Sequence, residues 1–382
     1  MSRNVPKLRF KGFEDEWKEK KISDTLKIRH GKDQKLVAND LGKYPILGTG
    51  GIIGKSNEFL YDKESVLIGR KGTIDRPFYM NTPFWTVDTL FYSEIKKGFC
   101  AKFLYYSFQR INWKKYSEAS GVPSLSASTI ESIKYILPEL NEQEKIANFL
   151  SKVDSIIEKQ EKKVQYWNSY KKGMIQKIFS QKIRFQDGNK KSYTDWEEVR
   201  LSYILTETNN KNTGDLRVCS VSVRKGVIDQ IEHLGRSFAA KDTSKYKLVK
   251  KGDLIYTKSP TGEFPYGIIK QSFLEENVVV SPLYGVFKPK NYYLGYILHS
   301  YFYYKENTNN YLYSIVQKGA KNTINISNEV FLSKKLNLPT STDEQIKIFN
   351  LLLSIDNIID KENKKLEELK QWKKGLLQQM FV

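Results

Sequence analysis

The feature that most constrains this chain is that it repeats itself. Glu142-Gln143-x-Lys145-Ile146 returns as Glu344-Gln345-x-Lys347-Ile348, and Asp154-x-Ile156-Ile157 as Asp356-x-Ile358-Ile359. Lys171-Lys172-Gly173-x-x-Gln176 returns as Lys373-Lys374-Gly375-x-x-Gln378, and each segment reaches a Phe, Phe179 and Phe381. The offset holds at 202, and 17 of 38 aligned positions are identical, too many for chance. Elsewhere the match is weaker but in order. Lys7-Leu8-Arg9-Phe10 echoes Lys182-Ile183-Arg184-Phe185, Trp17 to Ser23 echoes Trp196 to Ser202, Leu67-Ile68 echoes Leu254-Ile255, and Leu125-Ser126 echoes Ile326-Ser327. The offset climbs from 175 to 202, as small loop insertions in a second copy require. The chain is therefore a tandem duplication: variable block, helix, variable block, helix.

The best-matched segments read as helices, with apolar residues at steps of three and four. Ile146, Phe149, Val153, Ile156, Ile157, Val164, Trp167, Met174 and Ile178 form the first stripe. Ile348, Leu351, Ile355, Ile358, Ile359, Leu366, Leu369, Leu376 and Met380 form the second. Leu137-Pro138 and Leu338-Pro339 end the preceding strands, with Asn141 and Thr342 as N-cap candidates. About 38 residues make a helix of roughly 57 Å, too long for one small domain to cover. Each stripe therefore calls for a partner helix, and the other copy supplies it. The packing candidates are Ile146, Phe149, Val153, Ile157, Trp167 and Met174 against Ile348, Leu351, Ile355, Ile359, Leu369 and Leu376. Gln160 and Glu362 interrupt both stripes at equivalent points, either to set register or as a solvated stretch. Duplication favours a pseudo-two-fold, antiparallel pair with a block at each end.

The blocks read as α/β (α+β). Short β-rich runs (65–68, 86–93, 133–137 and 278–287) alternate with Gly-rich turns and one helix each, near 102–113 and 294–305. The expected boundaries are 1–140 for the first block, 141–181 for the first helix, 182–340 for the second block and 341–382 for the second helix.

Composition narrows the partner. Lys and Arg number 63 against 43 Asp and Glu, formally +20, with a pI near 9.5. Such an excess points to a polyanion, nucleic acid first, provided it is concentrated on particular surfaces. No apolar run reaches the roughly 18 residues of a membrane span. The charged N-terminus is no secretory signal, and two distant cysteines, Cys100 and Cys219, give neither a disulfide scaffold nor a cysteine zinc site. A reducing cytoplasm is the expected compartment.

Few motifs suggest catalysis. Gly48-Thr49-Gly50-Gly51-Ile52-Ile53-Gly54-Lys55-Ser56 looks like a phosphate loop, but Thr49 stands where the first glycine should, and a poor helix start follows. A glycine turn allowing close backbone approach is the better reading. Ser281-Pro282-Leu283-Tyr284 approaches an amino-methyltransferase signature but has Leu283 for the second proline, and it aligns with Asp88-Thr89-Leu90-Phe91, a strand shared by both copies. His30, His233 and His299 lack metal-ligand spacing, and His299, aligned with Tyr105, reads as helix packing.

Basic side chains interleaved with turns and hydroxyls stand out instead. The candidates for nucleic-acid contact in the first block are Gly48, Thr49, Gly50, Arg70, Lys71, Thr73, Ser124 and Ser126. In the second block they are Thr257, Lys258, Ser259, Lys318, Lys321, Asn322 and Thr323. Arg and Lys contact guanine edges or phosphates, and Asn, Ser and Thr read bases or position the backbone. Lys171-Lys172 and Lys373-Lys374 fit solvated helix faces equally well.

Two variable blocks, each followed by a closely matched long helix beginning around Pro-x-x-x-Glu-Gln, resemble the specificity subunit of type I restriction-modification systems. The resemblance spans the chain and is carried most by Pro45-Ile46-Leu47-Gly48, Val66-Leu67-Ile68-Gly69-Arg70-Lys71-Gly72, Val87-Asp88-Thr89-Leu90-Phe91 and the Glu142-Gln143 helix start. The second block departs from it, with Thr257 in place of Arg70 and Ser259 in place of Gly72. The resemblance implies a non-catalytic reader of double-stranded DNA. Each target-recognition domain would read half of a bipartite asymmetric site, with the coiled-coil helices as a ruler. It also implies two methyltransferase and two motor-nuclease subunits as partners, and no membrane. S-adenosylmethionine, ATP and Mg would belong to those partners, leaving no cofactor or metal on this chain. A stand-alone methyltransferase or NTPase, or a scaffold without sequence specificity, are the alternatives.

Overall fold

The computed structural model describes residues 4–236, 239–240, 242–318 and 324–382. It divides into two compact units, Met1–Lys162 with Lys364–Val382, and Lys163–Asn363. The division cuts through both long helices, Leu140–Phe179 and Thr342–Met380. Each unit thus owns one variable block, half of one long helix and the opposite half of the other.

The blocks share one plan. In the first, a four-stranded antiparallel sheet runs in the order Leu26–Arg29, Leu90–Ile95, Ser65–Gly69, Phe78–Met80. In the second, the order is Leu205–Glu207, Gly285–Pro289, Leu254–Tyr256, Ile269–Gln271. The first and last strands of each block pair antiparallel, Lys18 opposite Leu137 and Glu197 opposite Leu338, so each block closes just before its helix begins. Ser65–Gly69, inside its sheet, and Val278–Val280, which pairs with Lys247–Val249 in a separate two-stranded sheet, are buried along their whole length, which explains apolar runs without polar alternation there.

Several details depart from the sequence reading. The runs 86–93 and 278–287 are each two strands joined by a turn: Leu90 N donates to Val87 O, and Tyr284 N to Ser281 O. Pro282 has no amide to give a ladder, so Ser281-Pro282-Leu283-Tyr284 breaks the strand instead of forming it. The first block's helix stops at Phe108, and the second block has two helices, Tyr292–Tyr301 and Lys305–Tyr313, where one was expected. Asn141 lies inside the first long helix, whose opening amides at Glu142 and Gln143 donate to Glu139 O. Ser341, not Thr342, caps the second, its hydroxyl accepting from Glu344 N.

The seam of the first long helix, buried or half-buried along its length, is Ile146, Leu150, Val153, Ile157, Gln160, Val164, Trp167, Lys171, Met174 and Ile178, alternating steps of four and three. The second follows it residue for residue: Ile348, Leu352, Ile355, Ile359, Glu362, Leu366, Leu369, Lys373, Leu376 and Met380. That alternation is the signature of coiled-coil packing. In the first unit Lys373 pairs with Asp154 at 2.7 Å and Lys370 with Glu161 at 2.8 Å. In the second, Lys171 pairs with Asp356 at 2.5 Å and Lys163 with Glu362 at 2.7 Å. Residue numbers rise on one helix as they fall on the other, so the helices are antiparallel in each unit. Phe149 leaves the seam to pack edge-on against Phe10, Leu351 is half-buried, and Ile156, counted in the stripe, is exposed. Gln160 and Glu362 are buried, so the interruption of the stripe is not a solvated stretch. Lys171 is buried too, which removes the solvated-face reading for that residue.

The Glu-Gln at each helix start is explained by a clamp that is made twice. Glu142 accepts from Arg9 Nε at 2.7 Å, Arg9 Nη2 at 2.8 Å and Trp17 Nε1 at 3.2 Å. Glu344 accepts from Arg184 Nε at 2.9 Å, Arg184 Nη2 at 3.3 Å and Trp196 Nε1 at 3.1 Å. Gln143 and Gln345 donate to Pro138 O and Pro339 O, both at 2.8 Å. These contacts dock each block on the helix that follows it, which is why Arg9, Trp17, Glu142 and Gln143 all recur in the second copy.

Candidate nucleic-acid interface

In the first unit three loops converge beside the four-stranded sheet. Strand Ser65–Gly69 runs into Arg70-Lys71-Gly72-Thr73, a connection that returns as strand Phe78–Met80. Gly69 must be glycine, because a Cβ there would lie 2.1 Å from Thr73 O. Gly72 has φ +91° and donates its amide to Pro123 O at 2.8 Å. Lys71 bridges Ser124, and Leu125 N donates to Arg70 O at 2.9 Å, so the segment 123–125 is zipped to the basic loop. The third loop is the tip of a hairpin, Tyr44–Gly48 with Gly51–Ser56, closed by Thr49 and Gly50. Thr49 Oγ1 lies 3.7 Å from where a Gly72 Cβ would stand. A strand follows this glycine run, not a helix N-terminus, which removes the geometry a phosphate loop depends on.

Arg70 and Lys71 are both exposed, and neither makes an ion pair among the described residues. Arg70 Nη1 donates to Asp88 O at 3.2 Å, and the Arg70 amide to Thr89 O at 2.8 Å. The turn over Val87, Asp88 and Thr89 thus aims the guanidinium while leaving most of its donors free. Sequence reasoning gave that turn to a strand and so missed its role; no local signal marks a carbonyl as a positioner. Gly48 is buried, Thr49, Thr73 and Ser124 are half-buried, and Gly50 is exposed. Ser126 is taken up structurally: its hydroxyl accepts from Thr129 N at 3.1 Å, capping helix Ala127–Ser132, and donates to Glu118 at 2.7 Å. Ser327 caps Asn328–Ser333 in the same way in the second unit.

In the second unit the same connection of the same sheet, between Leu254–Tyr256 and Ile269–Gln271, carries Thr257, Lys258 and Ser259. Thr257 is buried and its hydroxyl accepts from Ile268 N at 3.1 Å, so it faces the core. Lys258 has φ +60°, unusual for a side chain with a Cβ. It sits against Gly267, where a Cβ would come within 2.8 Å of Lys258 N. Burial and the nearby Lys247 hold the Lys258 ammonium below its usual range, with Glu207 opposing. Ser259 is exposed. Lys318 ends the short strand Gln317–Lys318, paired with Ile324–Asn325, while Lys321, Asn322 and Thr323 lie outside the described residues. Lys247, Glu207 and Gly267 were not among the sequence candidates.

No group of His, Cys, Asp and Glu fit to hold a metal occurs among the described residues, and no helix there is long and apolar enough to cross a membrane. Among the histidines, His299 is buried and its Nδ1 accepts from Gln271 N at 3.0 Å.

Comparison with known proteins bears on both units. The model described as "Type I restriction modification DNA specificity domain" matches residues 14–165 and again 190–371. The type I restriction enzyme MjaVIII specificity subunit of Methanocaldococcus jannaschii is 26% identical over 95% of this chain and 91% of its own length. The EcoprrI specificity subunit of Escherichia coli is 27% identical over 39% of each chain. In fold, the S subunit of a type I restriction-modification system from M. genitalium matches with a TM-score of 0.63 over 99% of both chains, at 16% identity.

Proposed function

We propose, since the chain belongs to the type I restriction-modification DNA specificity family, that each unit reads one half of a bipartite, asymmetric DNA site. The observation that carries this reading is the connection after Ser65–Gly69 and after Leu254–Tyr256. One scaffold, made twice, presents Arg70-Lys71-Gly72-Thr73 in one copy and Thr257-Lys258-Ser259 in the other. A duplicated frame with different side chains at the same place suits two readers of different sequences. Arg70 and Lys71 act on bases or phosphates, Lys258 does so in the second unit, and Thr49, Gly50, Thr73 and Ser124 shape the first surface.

The paired helices set the spacer and dock two methyltransferase subunits, and two motor-nuclease subunits complete the assembly. S-adenosylmethionine, ATP and Mg sit on those partners, and the assembly works in the cytoplasm. The test is modular: exchange residues 1–140 for those of another family member and map methylated DNA in the host. One half-site should change and the other stay. A change in both halves would end the reading of independent units.

A further inference from the structure

A cavity of about 970 Å³ opens in the second unit beside strand Ile269–Gln271 and helix Tyr292–Tyr301. At its depth lies Lys270, 1% exposed, whose Nζ has no hydrogen-bond acceptor among the described residues. The ammonium stands 4.2 Å from the Tyr303 ring centroid, which offsets only part of the cost of burying it. The other cations of the wall are answered: Lys171 by Asp356 at 2.5 Å, Lys251 by Glu275 at 2.7 Å, and Lys225 by Glu232 at 3.1 Å. Arg224, exposed at the mouth, makes no ion pair among the described residues. The cavity therefore holds two unanswered cations, one deep and one at the rim.

The duplication supplies an internal control. At the corresponding face of the first unit the cavity is about 360 Å³. The strand matching Ile269–Gln271 there, Phe78–Met80, carries no lysine; the lysine of that cavity, Lys102, comes from helix Ala101–Phe108, donates to Ser151 Oγ at 3.1 Å, and lines it with Asp154 and Glu158. The fold does not require a buried, unanswered ammonium here; of the two copies, the second has one.

We propose that this cavity binds a small dianionic oxyanion of the phosphate class, free or carried by a nucleotide, with Lys270 as the deep contact and Arg224 closing over it. Two basic groups without ion pairs among the described residues, set against one such carboxylate, Asp360, leave the wall basic, and a guanidinium fork suits tetrahedral oxygens. A phosphate of duplex DNA has the same chemistry, and the duplex arm of the titration below tells it apart from the small anion.

Protonation is linked to the event. Burial, then Lys171, lowers the Lys270 ammonium to about 7, against the raising effect of Asp356. The titratable groups that share the cavity wall with it are Lys171, Asp356 and Asp360 from the long helices, Tyr292, Tyr296, His299 and Tyr303 from the helix side of the block, and Arg224, Lys225, Lys251 and Glu275 from its turns. His299 stays neutral through burial, and burial next to Asp356 raises the Asp360 carboxyl. An arriving anion would restore the proton on Lys270, so binding takes up protons and weakens as pH rises above 7.

The full chain should be titrated at constant ionic strength with inorganic phosphate, with a nucleoside monophosphate, and with a short duplex of unrelated sequence, using calorimetry. Sulfate, dianionic throughout, serves for the pH series from 6 to 9. Saturable binding of phosphate or the nucleotide is expected in the natural protein and in Lys102→Met, weakened by about tenfold or more in Lys270→Met. Tighter binding of the nucleotide than of phosphate identifies the carried form, equal binding the free one; both support the site. Lys270→Met should fold, since it removes an unanswered buried charge. Arg224→Gln, at an exposed position, gives a second reading with a smaller loss. Absence of saturable binding, equal binding in both cavity variants, an adventitious ion only, or titration by the duplex alone would overturn the proposal.

Discussion

Replacing Glu142 with Ala tests what holds a block to its helix. The Glu142 side chain is 3% exposed and that of Arg9 14%, and the carboxylate also accepts from the Trp17 indole. Removing one partner of a buried pair typically costs about 3–5 kcal/mol, because the remaining charge is stranded. An orphaned indole N–H adds about 1 kcal/mol or more. Arg9 Nη2 keeps the Asp15 carbonyl at 2.6 Å, which moves the total to the lower end. We expect about 4 kcal/mol, or roughly a thousandfold in the opening equilibrium at about 1.4 kcal/mol per decade. Because the clamp joins elements of one unit, the loss should be local. Hydrogen exchange of the full chain should speed up in residues 140–162 and in the sheet of the first block, and stay unchanged in 163–363. Glu344→Ala should give the mirror result. In Arg9→Met/Glu142→Leu the stranded charge disappears, and most of the loss should be recovered. A change below about 1 kcal/mol, or one spread evenly over both units, would refute the assignment of the clamp.

Arg70→Ala should relax one half-site by about 1–3 kcal/mol if the guanidinium meets a base, seen as altered choice in methylation mapping; uniform weakening with a shallower salt dependence would place it on phosphate instead. Gly267→Ala puts a methyl at φ +95°, 2.8 Å from Lys258 N, and should cost about 1–3 kcal/mol while displacing Lys258; unaltered recognition of the second half-site by filter binding would remove Lys258 from the surface. His299 is held neutral well below its usual 6.5, so the unfolded chain takes up a proton there that the folded chain refuses. Stability from this group is present above pH 6.5 and falls as pH drops below it, by up to about 1.4 kcal/mol per unit. His299→Gln should flatten the second unit's unfolding between pH 7 and 5, and an equally steep profile in that variant would locate the titration elsewhere.

How much of this was legible in advance depends on whether a feature repeats at short range. The offset of 202 and the spacing of apolar residues are local, so they determined the duplication, both long helices and their need for each other. Arg9, Trp17 and Glu142 were visible as recurring letters, yet that they meet depends on a chain closure over more than 130 residues. Only the folded chain showed that Leu150 and Leu352 belong in the seam and Ile156 does not: a stripe counted in threes and fours admits either neighbour, and packing selects one. Lys171 illustrates the same limit. Its sequence neighbourhood is that of a solvated lysine, and its burial follows from Asp356, 185 residues away, and from the Tyr303 ring. In the loops, the sequence determined that Arg70 and Lys71 are charged and follow a strand. That Asp88, Thr89 and Pro123 offer the carbonyls that hold the loop was decided by tertiary structure alone, because every residue has a carbonyl and no side-chain code says where it points.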